Sequence, residues 1–183
     1  MDRGTALSIL YEFTKTDSLR KHAYAVESAM RAYANKFGEN EDLWGSVGLI
    51  HDFDYEMYPD KHPTKGNEIL QERGVHEDIR TAILSHATFT NTPRETLMAK
   101  TLYAVDELCG FLIAVTLVRP TKALSDVKVK SVKKKMKDKR FAAKVNRDEI
   151  REGAEELGID FDEHVTFVVK ALSSVAKEIG LNS

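Results

Sequence analysis

Apolar residues recur along the chain at steps of three and four, seldom at steps of two, and only four prolines and ten glycines punctuate them. That period belongs to the α-helix, so the chain is expected to be all-α, a bundle of about eight helices. A first helix is expected over about 2–15, with Leu7, Leu10 and Phe13 inward. A second should start at a Ser18 cap, bury Leu19, His22, Val26, Met30, Tyr33 and Phe37, and stop at Gly38. The third, from about Glu41, brings Leu43, Val47, Ile50 and His51 together and ends near Asp54. His62-Pro63 reads as a cap followed by a first-turn proline, opening a short helix through Ile69 and Leu70 to Gly74. The next helix stacks Ile79, Ile83 and His86.

Thr92-Pro93 predicts the start of the longest apolar helix, which reaches Val118 and places Leu102, Asp106, Cys109 and Ile113 on one face. The lysine-rich stretch beyond it keeps Val132 and Met136 four apart, so a helix with a solvated face is expected over about 125–140. Asn146 and Glu149 form a capping-box pattern. The last helix carries Val165, Val168, Leu172, Val175 and Ile179 inward. With no internal repeat or low-complexity linker, 183 residues suit a single domain spanning 1–183.

Hydrophobic residues at 42% and charged residues at 31% are ordinary for a globular protein. A net charge of −2 disfavours nucleic acid or an anionic membrane as partner, leaving any basic surface local. The single cysteine, Cys109, excludes an intramolecular disulfide framework and a multi-cysteine zinc site; it fits a reducing compartment, with the cytoplasm expected. The start MDRGTALSILYEF lacks the apolar core and small-residue cleavage pattern of a signal peptide. The longest apolar stretch, Phe111 to Val118, falls short of the roughly 20 residues that span a bilayer.

Three histidines (His22, His51, His86) and Asp106 fall on faces that the pattern buries. An ionised aspartate on an apolar face costs several kcal/mol unless a cation or strong donors compensate it. No lysine or arginine lies one turn away on the Asp106 face, whereas a metal ion would satisfy carboxylate and neutral imidazoles alike. A lone histidine of this kind is more often a core residue bonded to a backbone carbonyl; several together, one beside an aspartate, are harder to explain that way. His51-Asp52 sits at a predicted helix end, where two adjacent side chains can both reach one ion.

The stretches LRKHAYAV, GLIHDFDYE and LYAVDELCG place a histidine, a His-Asp pair and a distal aspartate on separate helices. In this the chain resembles the HD-domain superfamily of metal-dependent phosphohydrolases, over about residues 18–118. The resemblance implies that His22, His51, Asp52 and Asp106 bind a first divalent transition metal, with His51 and Asp52 catalytic. His62 and His86 would bind a second, Asp52 bridging the two; Mn, Fe, Zn, Co and Ni all suit these donors. The basic helix over 125–140 and the C-terminal helices over 147–181 would then pack on this core or cover it.

The arrangement is similar to that of bacterial symmetrical diadenosine tetraphosphate hydrolases and of an uncharacterised branch of predicted hydrolases. The implied activity is cleavage of a phosphoester or phosphoanhydride in a nucleotide or other small phosphorylated metabolite by metal-activated water. Residues FDYE after the pair match neither the Ile-Gly of one large subgroup nor the lysine of the tetraphosphate hydrolases, which leaves the substrate open. The Gly-Tyr-Pro of cyclic di-GMP phosphodiesterases is missing after His62, which disfavours that substrate.

For substrate phosphate the candidate contacts are Lys65 and Lys61 beside His62, and a basic rim including Arg119, Lys133 and Lys134 from the run KSVKKKMKDKR, with a solvated helix face as its plainer reading. Asp54, Glu56 and Asp60 are candidates for partners of the ligands or a general acid. His76 and His164 fit no ligand pattern and are expected at the surface or in caps, and Cys109 in packing. Two further functions compete: a di-iron HD-type oxygenase cleaving a carbon bond, since the same ligands suit iron, and, against the net charge, a nucleic-acid module with a structural metal. Oligomeric state is left open, a homodimer included.

Overall fold

The computed structural model describes residues 1–183 as nine α-helices with no strand. They are α1 (Arg3–Phe13), α2 (Asp17–Phe37), α3 (Glu41–Ile50), α4 (Thr64–Glu72), α5 (Glu77–Ser85), α6 (Leu97–Leu117), α7 (Val129–Met136), α8 (Arg147–Leu157) and α9 (Phe161–Ser174). Two 3₁₀ turns, Thr88–Thr90 and Leu124–Asp126, lie between them. The expected all-α architecture holds, and no helix is long and apolar enough to cross a membrane.

One apolar cluster runs from Ala6 to Leu181; it includes Val132 and Met136, so the basic helix α7 packs on the same core as α2 and α6. At the core's centre α2 lies against α3. Gly48 permits that approach, because a Cβ there would meet the Glu27 backbone at 2.9 Å. Gly153 does the same for α8 on α6, where a Cβ would fall 2.6 Å from Ala104 Cα. The buried Glu27 carboxylate accepts from Arg3 Nε (2.6 Å) and Arg31 Nε (2.9 Å), which offsets its desolvation.

Several boundaries differ from expectation, each for a local reason. α2 begins behind Thr16 rather than Ser18, since the Glu56 carboxylate accepts the N–H groups of Lys15 (2.7 Å) and Thr16 (3.0 Å) and the Thr16 hydroxyl (2.9 Å). α6 begins behind Thr96, whose hydroxyl accepts from Ala99 N; residues 92–96 stay outside the helix. α7 stops at Met136, short of 140. Beyond it the Arg147 guanidinium donates to the backbone oxygens of Asp138, Phe141, Ala142 and Val145, drawing 138–145 into a compact loop. The C-terminus returns to the loop after α6, with Leu124 N–H donating to Asn182 O (2.9 Å).

Candidate metal centre

The ends of α3 and α5, the approach to α4 and the facing sides of α2 and α6 converge on one cavity. His51 and His86 are the C-terminal caps of α3 and α5. The last carbonyls of a helix have no intrahelical donor, and each imidazole supplies one: His51 Nδ1–H donates to Gly48 O (2.7 Å) and His86 Nδ1–H to Ile83 O. His62 precedes α4, and its Nδ1–H donates to Asp54 Oδ1 (2.7 Å). Asp54 is itself fully buried and accepts Gly66 N–H on Oδ2 (2.7 Å); only glycine fits at 66, where a Cβ would meet the Asp54 carboxyl carbon at 2.8 Å.

With Nδ1 committed as donor in all three rings, each Nε2 faces inward at carboxylate oxygens. His51 Nε2 lies 3.4 Å from Asp52 Oδ2 and 3.3 Å from Asp106 Oδ1. Asp52 Oδ1 lies 3.2 Å from His62 Nε2 and 3.3 Å from His86 Nε2. His22, from α2, brings Nε2 to 2.9 Å from Asp106 Oδ1 on α6. The ligand atoms therefore form two groups, His22, His51, Asp52 and Asp106, and Asp52, His62 and His86, each within 4.8 Å, with Asp52 turning one oxygen to each side.

Such an arrangement asks for positive charge. A neutral ring with its proton on Nδ1 aims a lone pair from Nε2 at an anionic oxygen, and His51 Nε2 is fully buried with no hydrogen-bond partner. Burial opposes charging His51, but Asp52 and Asp106 outweigh it and drive its pKa well above the usual imidazole value. Burial likewise opposes His62, and Asp52 and Asp54 carry it up to about 9. Against burial, His51 and its neighbours hold both the Asp52 and Asp106 carboxyls far below the usual range. Protonating every ring would crowd imidazoliums at centroid spacings of 5.2 to 5.4 Å.

Metal ions compensate the same atoms without that crowding. Donors bound at roughly 2.1 Å around one ion sit about 3.0–3.4 Å from each other, and the N···O separations here run from 2.9 to 3.4 Å. The donor set of four imidazoles and two carboxylates, three rings anchored through Nδ1, thus fits divalent transition metals.

The six expected ligands are brought together; the expected phosphate contacts are not. The cavity over the cluster has a volume of about 760 Å³, and its lining includes Tyr55, Thr88, Phe89, Glu107, Lys144 and Glu149 beside the ligands. Lys65 is turned to Glu68 (2.8 Å), Arg119 donates to Ser131 Oγ (2.6 Å), and Lys133 pairs with Asp162. Lys61 and Lys134 are exposed, and none of these five lines the cavity. Lys144, on the loop that Arg147 holds, is the lysine that does line it. Burial, followed by the charge of Asp106, pushes the Glu107 carboxyl up to about 7.

Of the carboxylates after the pair, Asp54 orients His62, Glu56 caps α2 and Asp60 is exposed. His76 caps α5 from the surface, and Cys109 is buried in packing, both as expected. His164 is not at the surface: it is fully buried, accepting from Tyr33 OH on Nδ1 (2.6 Å) and donating from Nε2 to Ala104 O (2.9 Å). No family model, curated protein or solved structure matches the chain.

Proposed function

We propose that this protein is a metal-dependent phosphohydrolase of the HD type, acting on a phosphoester or phosphoanhydride of a small metabolite. The observation that carries the reading is the inward Nε2 of His51, buried and unpartnered between two carboxylates, in a cluster where Asp52 is shared by two donor groups. His22, His51, Asp52 and Asp106 would hold one ion and Asp52, His62 and His86 the other. Divalent ions in such a pair supply Lewis acidity toward phosphoryl oxygens and bring the pKa of bound water from 15.7 toward about 7.

The chain's own residues do the rest. The Gly48 and Ile83 carbonyls and the Asp54 carboxylate fix three ring orientations, so the donors need little rearrangement. These three acceptors also keep Nδ1 protonated, which leaves Nε2 as the donor atom toward the cavity. The cavity stays open enough for a small ester, and Lys144 offers its ammonium to phosphate.

The test is phosphate release from 4-nitrophenyl phosphate and a panel of phosphorylated metabolites after loading with Mn, Co, Ni, Zn or Fe. Metal-dependent release, abolished in Asp52→Ala together with metal binding, is the expected result. Release that survives Asp52→Ala would sink the assignment, and iron-dependent oxygen uptake in its place would support the di-iron oxygenase.

A further inference from the structure

The cavity wall bears on which phosphate compounds can enter. Its lining residues include four acids, Asp52, Asp106, Glu107 and Glu149, and one lysine, Lys144. Two bound divalent ions would hold the neighbouring carboxyls ionised and balance all four, leaving the single positive charge of Lys144. One phosphoryl group carries about −1.5 to −2 at neutral pH, so it already uses that surplus. Each further phosphate would lie against carboxylate without a cation to pair with, because no other lysine or arginine lines the cavity.

Glu107 and Glu149 are not consumed by structure either. Glu107 accepts the Asn146 N–H (3.2 Å) through one oxygen, and Glu149 accepts the Thr88 hydroxyl at 3.4 Å, so each carboxylate keeps acceptor capacity toward the cavity. Tyr55 and Phe89, 44% and 71% exposed, add aromatic faces to the same rim. Carboxylates beside aromatic rings favour N–H or O–H donors and cationic amines. The buried, unpartnered His51 Nε2, between Asp52 and Asp106, marks the part of the site where positive charge, and with it phosphate, is called for.

We infer that the cavity selects a compact phosphomonoester whose other end presents amine or hydroxyl donors to Glu107 and Glu149, and discriminates against polyphosphates. Lys144 is then the specificity-determining contact for the single phosphate. Its placement depends on Arg147, which ties 138–145 through backbone oxygens at both ends of that loop. This inference rests on the phosphohydrolase reading and narrows it.

The experiment is calorimetric binding, alongside phosphate release, on the Mn-loaded full chain. The probes are adenosine mono- and triphosphate, an aminoalkyl phosphate and glycerol phosphate; the proteins are wild type, Lys144→Met and Glu107→Gln/Glu149→Gln. Wild type should bind the monophosphate at least about tenfold tighter than the triphosphate. Lys144→Met should weaken every monoester by about tenfold, and the double glutamine variant should bring the two nucleotides within about threefold of each other. Preference for the aminoalkyl over the glycerol ester would identify the donor end as an amine, and the reverse as a hydroxyl; either supports the inference. Equal or tighter triphosphate binding with hydrolysis retained overturns the inference and leaves the hydrolase reading standing. Failure of every phosphate to bind or turn over overturns both.

Discussion

Replacing Asp54 by asparagine changes one oxygen of a fully buried side chain into an amide nitrogen and removes its charge, with volume almost unchanged. Asp54 now accepts two N–H donors, from His62 Nδ1 and Gly66 N, each at 2.7 Å. Asparagine has one acceptor oxygen, so it can keep one bond and must turn NH₂ toward the other donor. A hydrogen bond to a charged group contributes about 1.5–3 kcal/mol, and loss of a ligand's outer partner typically costs about 10–100-fold in metal affinity. The two scales agree, since that factor corresponds to about 1.4–2.8 kcal/mol. Competition titrations against a chelator should therefore show one of two ions weakened by about 10–100-fold in Asp54→Asn, with the other bound as in wild type. Circular dichroism should report an unchanged helical content. Unaltered affinity for both ions would refute the claim that Asp54 positions His62 as a ligand.

The packing and the charges lead to three further outcomes. Chelator treatment should lower Tm and re-addition of the ion restore it, by about 2.7 kcal/mol of stability when free ion is 100-fold above its Kd; an unchanged Tm would mean the carboxylates are satisfied without metal. Gly153→Ala should destabilise by about 1–2 kcal/mol, measured by urea unfolding, because overpacking against the Ala104 backbone outweighs the helix propensity gained. Burial holds His164 below the ordinary imidazole value, so its contribution is complete above about pH 6.5 and is withdrawn as pH falls toward its folded pKa. The stability difference between wild type and His164→Gln should accordingly shrink as pH falls below about 6.5; a constant difference would contradict a buried neutral ring.

How much was legible from sequence depends on whether a feature is local. His22, His51, His86 and Asp106 declare themselves because a polar residue on an apolar helical stripe stands out within a few turns, and the C-terminal caps at His51 and His86 lie within one helix turn of their carbonyl partners. The cavity wall is different. Spacing shows that α7 turns its lysines outward but not against which element it packs, so Lys133 and Lys134 could be grouped with a rim they do not reach. Lys144 sits in a loop shaped by Arg147 bonds to backbone oxygens, a pattern with no residue signature. His164 did carry a signal, four positions before Val168 on the inward stripe of α9, but its partners Tyr33 and Ala104 lie 131 and 60 positions away.

Whether the His/Asp cluster is a two-ion centre is decided by elemental analysis. Protein purified without added metal, then supplied with manganese, iron or zinc, is compared with His62→Ala and His86→Ala after removal of loosely held ions. About two ions per chain are expected in wild type and about one in each variant, in keeping with the two donor groups that share Asp52. No retained ion in wild type under any of these metals would mean that the inward-facing imidazoles are charged partners of Asp52 and Asp106, and the metal centre would have to be given up.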